Sequence, residues 1–200
     1  AGINAHLKTK EKEALVLKRD EAYIGVLIDD LVTKGTSEPY RMFTSRAEYR
    51  ILLRQDNADL RLTPIGHKIG LASEERIKQV EYKNKAIIEL TKTLQSTFTS
   101  PEEINGLLSE NNSSLIQNKT RLHSLLLRPQ ISVFELEKYS EGLRETTGGL
   151  DAGLKTEVLE EAELLIKYEG YIKNEVALAE KMKRLENIPL DIAFDYHRVH

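Results

Sequence analysis

From residue 71 onward the apolar positions recur with a helical period. Ser73 stands before Glu74 and Glu75, and Ile77, Val80, Ile87 and Leu94 follow at spacings of three, seven and seven, which keeps one stripe facing a partner and predicts a helix over 73–97. Ser100-Pro101-Glu102-Glu103 combines a cap, a proline at the first helical position and the reciprocal glutamate of a capping box, so a short helix follows. Another is expected from Lys119 to Leu127, stopped by Pro129, and a further one starts at Ser132 with Phe134, Leu136 and Tyr139 as apolar contacts. Gly148-Gly149 breaks the chain. From Leu154 to Leu185 the positions Val158, Ala162, Leu165, Ile172, Val176, Ala179 and Met182 predict one long amphipathic helix, with 73–97 as its antiparallel mate. Tyr168, Tyr171 and Ile172 read as core and rim of that bundle.

The front of the chain is patterned differently. Asp20 can cap a helix through Tyr23 to Val32, which Gly35 would close in the left-handed region. Gly35-Thr36-Ser37-Glu38-Pro39 reads as a turn, and Tyr40 to Thr44 as extended. Ser45-Arg46-Ala47-Glu48 has capping-box spacing and predicts a helix to about Gln55, ended by Asp56-Asn57. Leu60-Arg61-Leu62 reads as short and extended, and Thr63-Pro64 opens a helical turn ending near Gly70. The fold class is therefore mainly α. A mixed helical and extended, arginine-rich segment occupies 1–70, and a helical bundle with long amphipathic helices occupies 71–200.

Composition narrows the function classes. With 40% hydrophobic and 30% charged residues among 200, the chain lies outside the disordered class. It has no apolar run of membrane-spanning length, and Ala1 to Lys8 lacks an export-signal pattern, so a soluble, cytoplasmic protein is expected. The absence of an initiator methionine and the abrupt ends read as a piece of something longer. With no cysteine, this chain has no disulfide, thiolate nucleophile, iron–sulfur cluster or thiolate zinc site. The net charge of −3 divides into +2 for 1–70, −1 for 71–150 and −4 for 151–200. That is not the overall excess typical of nucleic-acid binders, so local clustering matters more.

The clustering is specific to arginine. Arg41, Arg46, Arg50, Arg54 and Arg61 fall within 21 residues that contain no lysine, although lysines outnumber arginines 17 to 12 in the chain. On the expected helix Arg46, Arg50 and Arg54 form one stripe. Guanidinium is favoured where a planar fork meets carboxylate or phosphate, or stacks on a ring, and Tyr40 and Tyr49 lie close in sequence. Two readings remain open: a phosphate-contacting face for RNA or a dinucleotide, or an internal ion-pair network with Asp29, Asp30, Glu38, Glu48, Asp56 and Asp59. Asp29-Asp30 reads as a polar face pairing with arginines, because adjacent helical residues diverge by about 100° and do not automatically share a proton. His6, His67, His123, His197 and His200 are scattered without a metal-ligand spacing, and His197 and His200 read as a solvated tail. Gly148 to Gly153 lacks the strand and the Gly-Lys-Ser/Thr ending of a phosphate loop and reads as a hinge.

The run Ala22 to Gly35, followed by Glu38-Pro39-Tyr40-Arg41-Met42-Phe43-Thr44-Ser45-Arg46-Ala47-Glu48-Tyr49-Arg50 and Leu52 to Thr63, resembles the C-terminal portion of the MnmG/GidA family over more than forty positions. Ala1 to Ala5 is similar to the end of a helix near the flavin in that family. Ile188 to Asp191 and Phe194-Asp195-Tyr196 resemble the start of its final segment, with Ile192-Ala193 as a local insertion. The resemblance implies a parent enzyme that uses FAD and NADH and works with the GTPase MnmE and a folate carbon donor. Such a parent would be a homodimer that adds a carboxymethylaminomethyl-type group to carbon five of the wobble uridine of tRNA. The resemblance further implies that Arg41, Arg46, Arg50, Arg54, Arg61, Tyr40 and Tyr49 contact tRNA. The glycine-rich FAD fingerprint, the NADH-binding insertion and the catalytic cysteines of the family are missing from this chain, so it is expected to be inactive alone and to bind neither FAD nor NADH. A non-catalytic helical interaction module with structural arginines is the other reading.

Overall fold

The computed structural model describes residues 1–35, 39–186 and 189. The chain runs through α1 (Gly2–Thr9), α2 (Tyr23–Thr33), α3 (Ala58–Lys68), α4 (Glu74–Ser96), β1 (Phe98–Thr99), α5 (Pro101–Glu110), β2 (Thr120–Arg121), α6 (Leu122–Leu126), α7 (Val133–Tyr139), α8 (Glu141–Thr147), α9 (Ala152–Lys167) and α10 (Glu169–Glu186). The mainly helical class expected from the pattern is what the structure has.

Local signals place the bundle helices. Ser73 Oγ accepts from the Arg76 amide at 3.2 Å at the start of α4. The Ser100 and Ser132 amides donate to Glu103 and Glu135 at 2.8 and 2.9 Å, the reciprocal halves of two capping boxes. α4 is the central strut, packed along α9 as the pattern predicted, and also against α3 and α8. Ile87, Leu90 and Leu94 of α4 join Ile104, Leu108, Leu122, Leu125, Ile131, Leu136, Leu143, Val158, Ala162 and Ile166 in one buried cluster, to which Leu60 adds an edge. A smaller cluster of Val26, Ala47 and Leu53, with Met42 against it, lies in the front segment. β1 and β2 form an antiparallel ribbon pairing Phe98 with Arg121 and Thr99 with Thr120.

The structure corrects several expectations. The run from Leu154 to Leu185 is two helices, α9 and α10, parted at Tyr168, whose φ −107° and ψ 13° leave the helical region while its amide still donates to the Leu164 carbonyl and its carbonyl accepts from Ile172, both at 2.9 Å. The break frees α10 from the bundle core, and its Leu178, Ala179, Met182 and Lys183 face α2 and residues 16–20 across a groove of about 500 Å³. Tyr168 and Tyr171 are exposed, with ring centroids 6.2 Å apart, so they are rim and not core. Asp20 does not cap α2, which starts without a side-chain cap, and instead pairs with Lys183 of α10 at 2.6 Å. The helix expected from Lys119 begins at Leu122, because Thr120 and Arg121 are taken by the ribbon. Leu60-Arg61-Leu62 is helical, inside α3, and Pro64 lies within that helix.

The helix expected over 45–55 is absent. A short 3-10 turn at Thr44–Arg46 is followed by successive turns, in which side chains meet several backbone carbonyls. Arg19 donates to the Arg46 carbonyl at 3.2 Å, Arg54 to that of Ile51 at 2.8 Å, Asn57 to that of Leu52 at 3.2 Å and Arg61 to that of Arg54 at 3.1 Å. Ile188 and the stretches Thr36 to Glu38 and Leu190 to His200, which include the final-segment resemblance, Phe194, Tyr196, His197 and His200, lie outside the described residues. Gly35 has φ +64°, as expected for the end of α2.

Candidate nucleic-acid interface

The front segment is built around a residue that the sequence pattern did not single out. Arg19 lies just before α2 and forks across three carboxylates, at 2.8 Å to Asp29, 2.8 Å to Asp30 and 2.7 Å to Glu48. Gly25 lets α2 approach this strut, since a Cβ there would lie 2.2 Å from the Lys18 carbonyl oxygen. The burial that opposes Arg19's charge is outweighed by its bonds to Glu48, Asp30 and Asp29, which raise its pKa further.

Asp30 is the buried anion of the site. Only 1% exposed, it accepts from Lys34 at 2.9 Å, Tyr40 Oη at 2.8 Å and Arg19, with Arg46 at 3.8 Å. The hydrogen bond from Lys34 first, then those from Tyr40 and Arg19, hold its carboxyl well below the usual carboxylate range against the pull of burial. Pairing of Asp29 and Asp30 with arginine was expected. The partner of both is Arg19, from outside the lysine-free stretch.

The five arginines of that stretch divide. Arg54 is 14% exposed at its side chain and is held by Asp56 at 3.1 Å and by Glu161 of α9 at 2.5 Å. Arg61 donates to Asn57 at 2.8 Å and to the backbone carbonyls of Glu21 and Arg54. Both are engaged inside the fold, and no helical stripe aligns Arg46, Arg50 and Arg54. Arg41, Arg46 and Arg50 are exposed. Arg41 stands over the Phe43 ring at 5.5 Å and Arg46 over the Tyr40 ring at 5.0 Å. Tyr40 is thus occupied on one face by Arg46 and at its hydroxyl by Asp30, whereas Tyr49 is buried and lines the groove that faces α10. Of the acids weighed for an internal network, Asp56 meets Arg54 and Asp30 meets Arg46, but Asp29 and Glu48 go to Arg19 and Asp59 goes to Lys83 at 3.1 Å. Glu38 lies outside the described residues.

Burial, and then a hydrogen bond to Asp56, push the Glu161 carboxyl up, although Arg54 pulls it down. Neither Glu161 nor Lys83, which is buried among Asp59 and Glu157 (2.7 Å), carries a sequence signal, because their partners lie on other helices. The residues before α9 do not suit a dinucleotide phosphate. No strand leads into Gly148-Gly149, and Asp151 Oδ1 already accepts from the amides of Gly153 and Leu154 at 3.1 and 3.0 Å, setting a carboxylate where a phosphate would need to sit. No helix among the described residues is long and apolar enough to cross a membrane. What the site offers chemically is an outward set of guanidinium groups on a turn fixed from below, suited to phosphate oxygens.

Known proteins resemble this chain over its whole length. The family described as "tRNA modifying enzyme MnmG/GidA C-terminal helical domain" matches residues 74–176. The chain is 51% identical over 199 residues to the tRNA uridine 5-carboxymethylaminomethyl modification enzyme MnmG of Cytophaga hutchinsonii, covering all of this chain and 31% of that protein. It is 48% identical over 199 residues to the MnmG of Flavobacterium psychrophilum, covering all of this chain and 32% of that one. The chain therefore spans about a third of the length of these relatives. Among solved structures, Aquifex aeolicus GidA in one crystal form superposes with a TM-score of 0.74 at 37% identity, covering all of this chain and 30% of that one.

Proposed function

Because this chain belongs to the MnmG/GidA family of tRNA-modifying enzymes, we propose that it is the tRNA- and partner-binding C-terminal region of an enzyme that modifies carbon five of the wobble uridine. In this reading Arg41, Arg46 and Arg50 meet tRNA phosphates. Tyr40 orients Arg46, and Arg54, Arg61 and Tyr49 hold the turn that presents them. FAD and NADH bind elsewhere in the parent and supply its redox chemistry, while this chain binds and orients the RNA. Residues 1–70 form the junction to the rest of the parent. Supporting this is α2, which is apolar nearly all round, with Val26 buried and Ile24, Ile28 and Val32 left at the surface. MnmE and a second copy of the parent are its protein partners, in a soluble, cytoplasmic setting.

The observation that carries the proposal is the division of the arginines: two are held within the fold, and three are left outward on a turn pinned by Arg19 and Asp30. Arg50→Ala or Arg41→Ala in the full-length parent should weaken tRNA binding and lower its salt slope by roughly 1 for each phosphate no longer neutralised, with the melting temperature kept. Unchanged affinity and slope would overturn it. The pairing of Arg54 and Arg61 favours, for those two, the second reading, in which arginines serve the fold of a helical interaction module. If all five behave that way, the whole region is such a module.

A further inference from the structure

Phe98 leaves 53% of its surface in solvent on the β1–β2 ribbon. Its cross-strand partner is Arg121, whose guanidinium lies 5.2 Å from the ring centroid. Strand alternation turns the neighbouring Thr99 inward, where it is buried and donates to Glu103 at 3.0 Å. Lys119, two residues before Arg121, is exposed as well. Arg121 makes no ion pair among the described residues. The carboxylate attracting Lys119 is Glu103, already engaged by the Ser100 amide and by Thr99 in the cap of α5.

The arrangement is also held in place. The Leu122 amide donates to the Thr97 carbonyl at 3.0 Å, and Leu122 itself is buried in the main core, so the ribbon bearing the pair is anchored at once by backbone and by packing. An aromatic face, a guanidinium laid on it and a nearby ammonium, with the adjoining carboxylate committed elsewhere, match a polyanion that carries flat rings. An acidic protein segment would use the two cations but leave the ring without a stacking partner. A nucleic acid strand uses all three, by stacking and by phosphate contact.

We propose that the outward face of this ribbon is a second RNA contact, taking an unpaired base on Phe98 and the adjoining phosphates on Arg121 and Lys119. It rests on the reading that the parent binds tRNA, and it adds a contact on the bundle itself, apart from the arginine turn of the front segment. The two contacts act through different physics. Stacking on Phe98 is insensitive to salt, whereas Arg121 and Lys119 contribute to counterion release.

The test uses the full-length protein and an unmodified tRNA transcript with uridine at the wobble position, with anisotropy read over a salt series. Phe98→Ala should weaken binding about fivefold or more at fixed salt with the slope kept. Arg121→Glu should weaken binding and reduce the slope by about 1 or more. Arg50→Glu, run beside them, reports on the arginine turn. If Phe98→Ala and Arg121→Glu bind as the unaltered protein does while Arg50→Glu is weakened, the ribbon contact is overturned and the first reading stands. If the unaltered protein does not bind the transcript, the first reading fails and this one with it. A lowered melting temperature in Phe98→Ala with affinity intact assigns the pair to ribbon stability and also overturns the proposal.

Discussion

Asp30 shows how much a single side chain can organise when its partners converge from three places. It takes Arg19 from before α2, Lys34 from the end of that helix and Tyr40 from the loop beyond. Replacing this buried carboxylate takes a charged acceptor away from Lys34, Tyr40 and Arg19 at once, although Arg19 keeps Asp29 and Glu48. Asp30→Asn should therefore destabilise the fold by roughly 3 kcal/mol, read by urea unfolding at neutral pH. Its pH dependence has a definite sign. The folded-state pKa of Asp30 lies below the ordinary carboxylate value, so its contribution is complete above about pH 4 and is lost as pH falls toward the lowered value. Stability of the unaltered chain should drop on the acid side, and Asp30→Asn should make that limb shallower. An unchanged acid limb would place the loss in other carboxylates.

Among the elements, α2 and α5 each contain a glycine, and the two have opposite consequences. In α2, Gly25 is the point where the helix meets residues 17–18, and an added methyl would meet the carbonyl oxygens of Lys18 and Leu17 at 2.2 and 2.6 Å. Backbone cannot move aside as a side-chain tip can, so Gly25→Ala should cost about 3 kcal/mol and loosen the Arg19 fork. In α5, Gly106 has nothing within 4 Å of the equivalent position and is exposed, so Gly106→Ala should stabilise by roughly 0.5–1 kcal/mol through helix propensity alone. Paired thermal melts check both signs in one experiment. The same scale explains the parting of α9 from α10. A continuous apolar period runs through Tyr168, but its two halves serve different partners, α4 for Val158 and Ala162 and the front segment for Ala179 and Met182. Periodicity reports that a face is buried and is silent on what buries it.

At the scale of the whole molecule, the front segment is tied to α9 and α10 by charge. Arg54 reaches Glu161 across 107 positions of sequence, and Asp20 reaches Lys183. Arg54→Ala would leave Glu161, 4% exposed, without its cation, and should cost about 3 kcal/mol. Lys173→Ala, which removes only an exposed pair with Glu169, should change stability by less than about 0.5 kcal/mol. Denaturant unfolding of both variants tests the contrast. The bundle was legible in the sequence because caps at Ser73, Ser100 and Ser132 and the apolar period agree with the tertiary packing there. The stretch from Ser45 to Gln55 was not, because its capping-box spacing is outweighed by tertiary contacts: Arg19 takes the Arg46 carbonyl that the Arg50 amide would use, and Ala47 and Leu53 are buried with Val26. By itself the sequence determined the helical class, the capped starts of α4, α5 and α7 and the preference for guanidinium in one short stretch, all of which are read within a few residues. Only the tertiary structure decided which of those arginines face outward, because a guanidinium's partner is chosen by spatial neighbours such as the Glu161 carboxylate and the Glu21 backbone carbonyl, which no local pattern encodes.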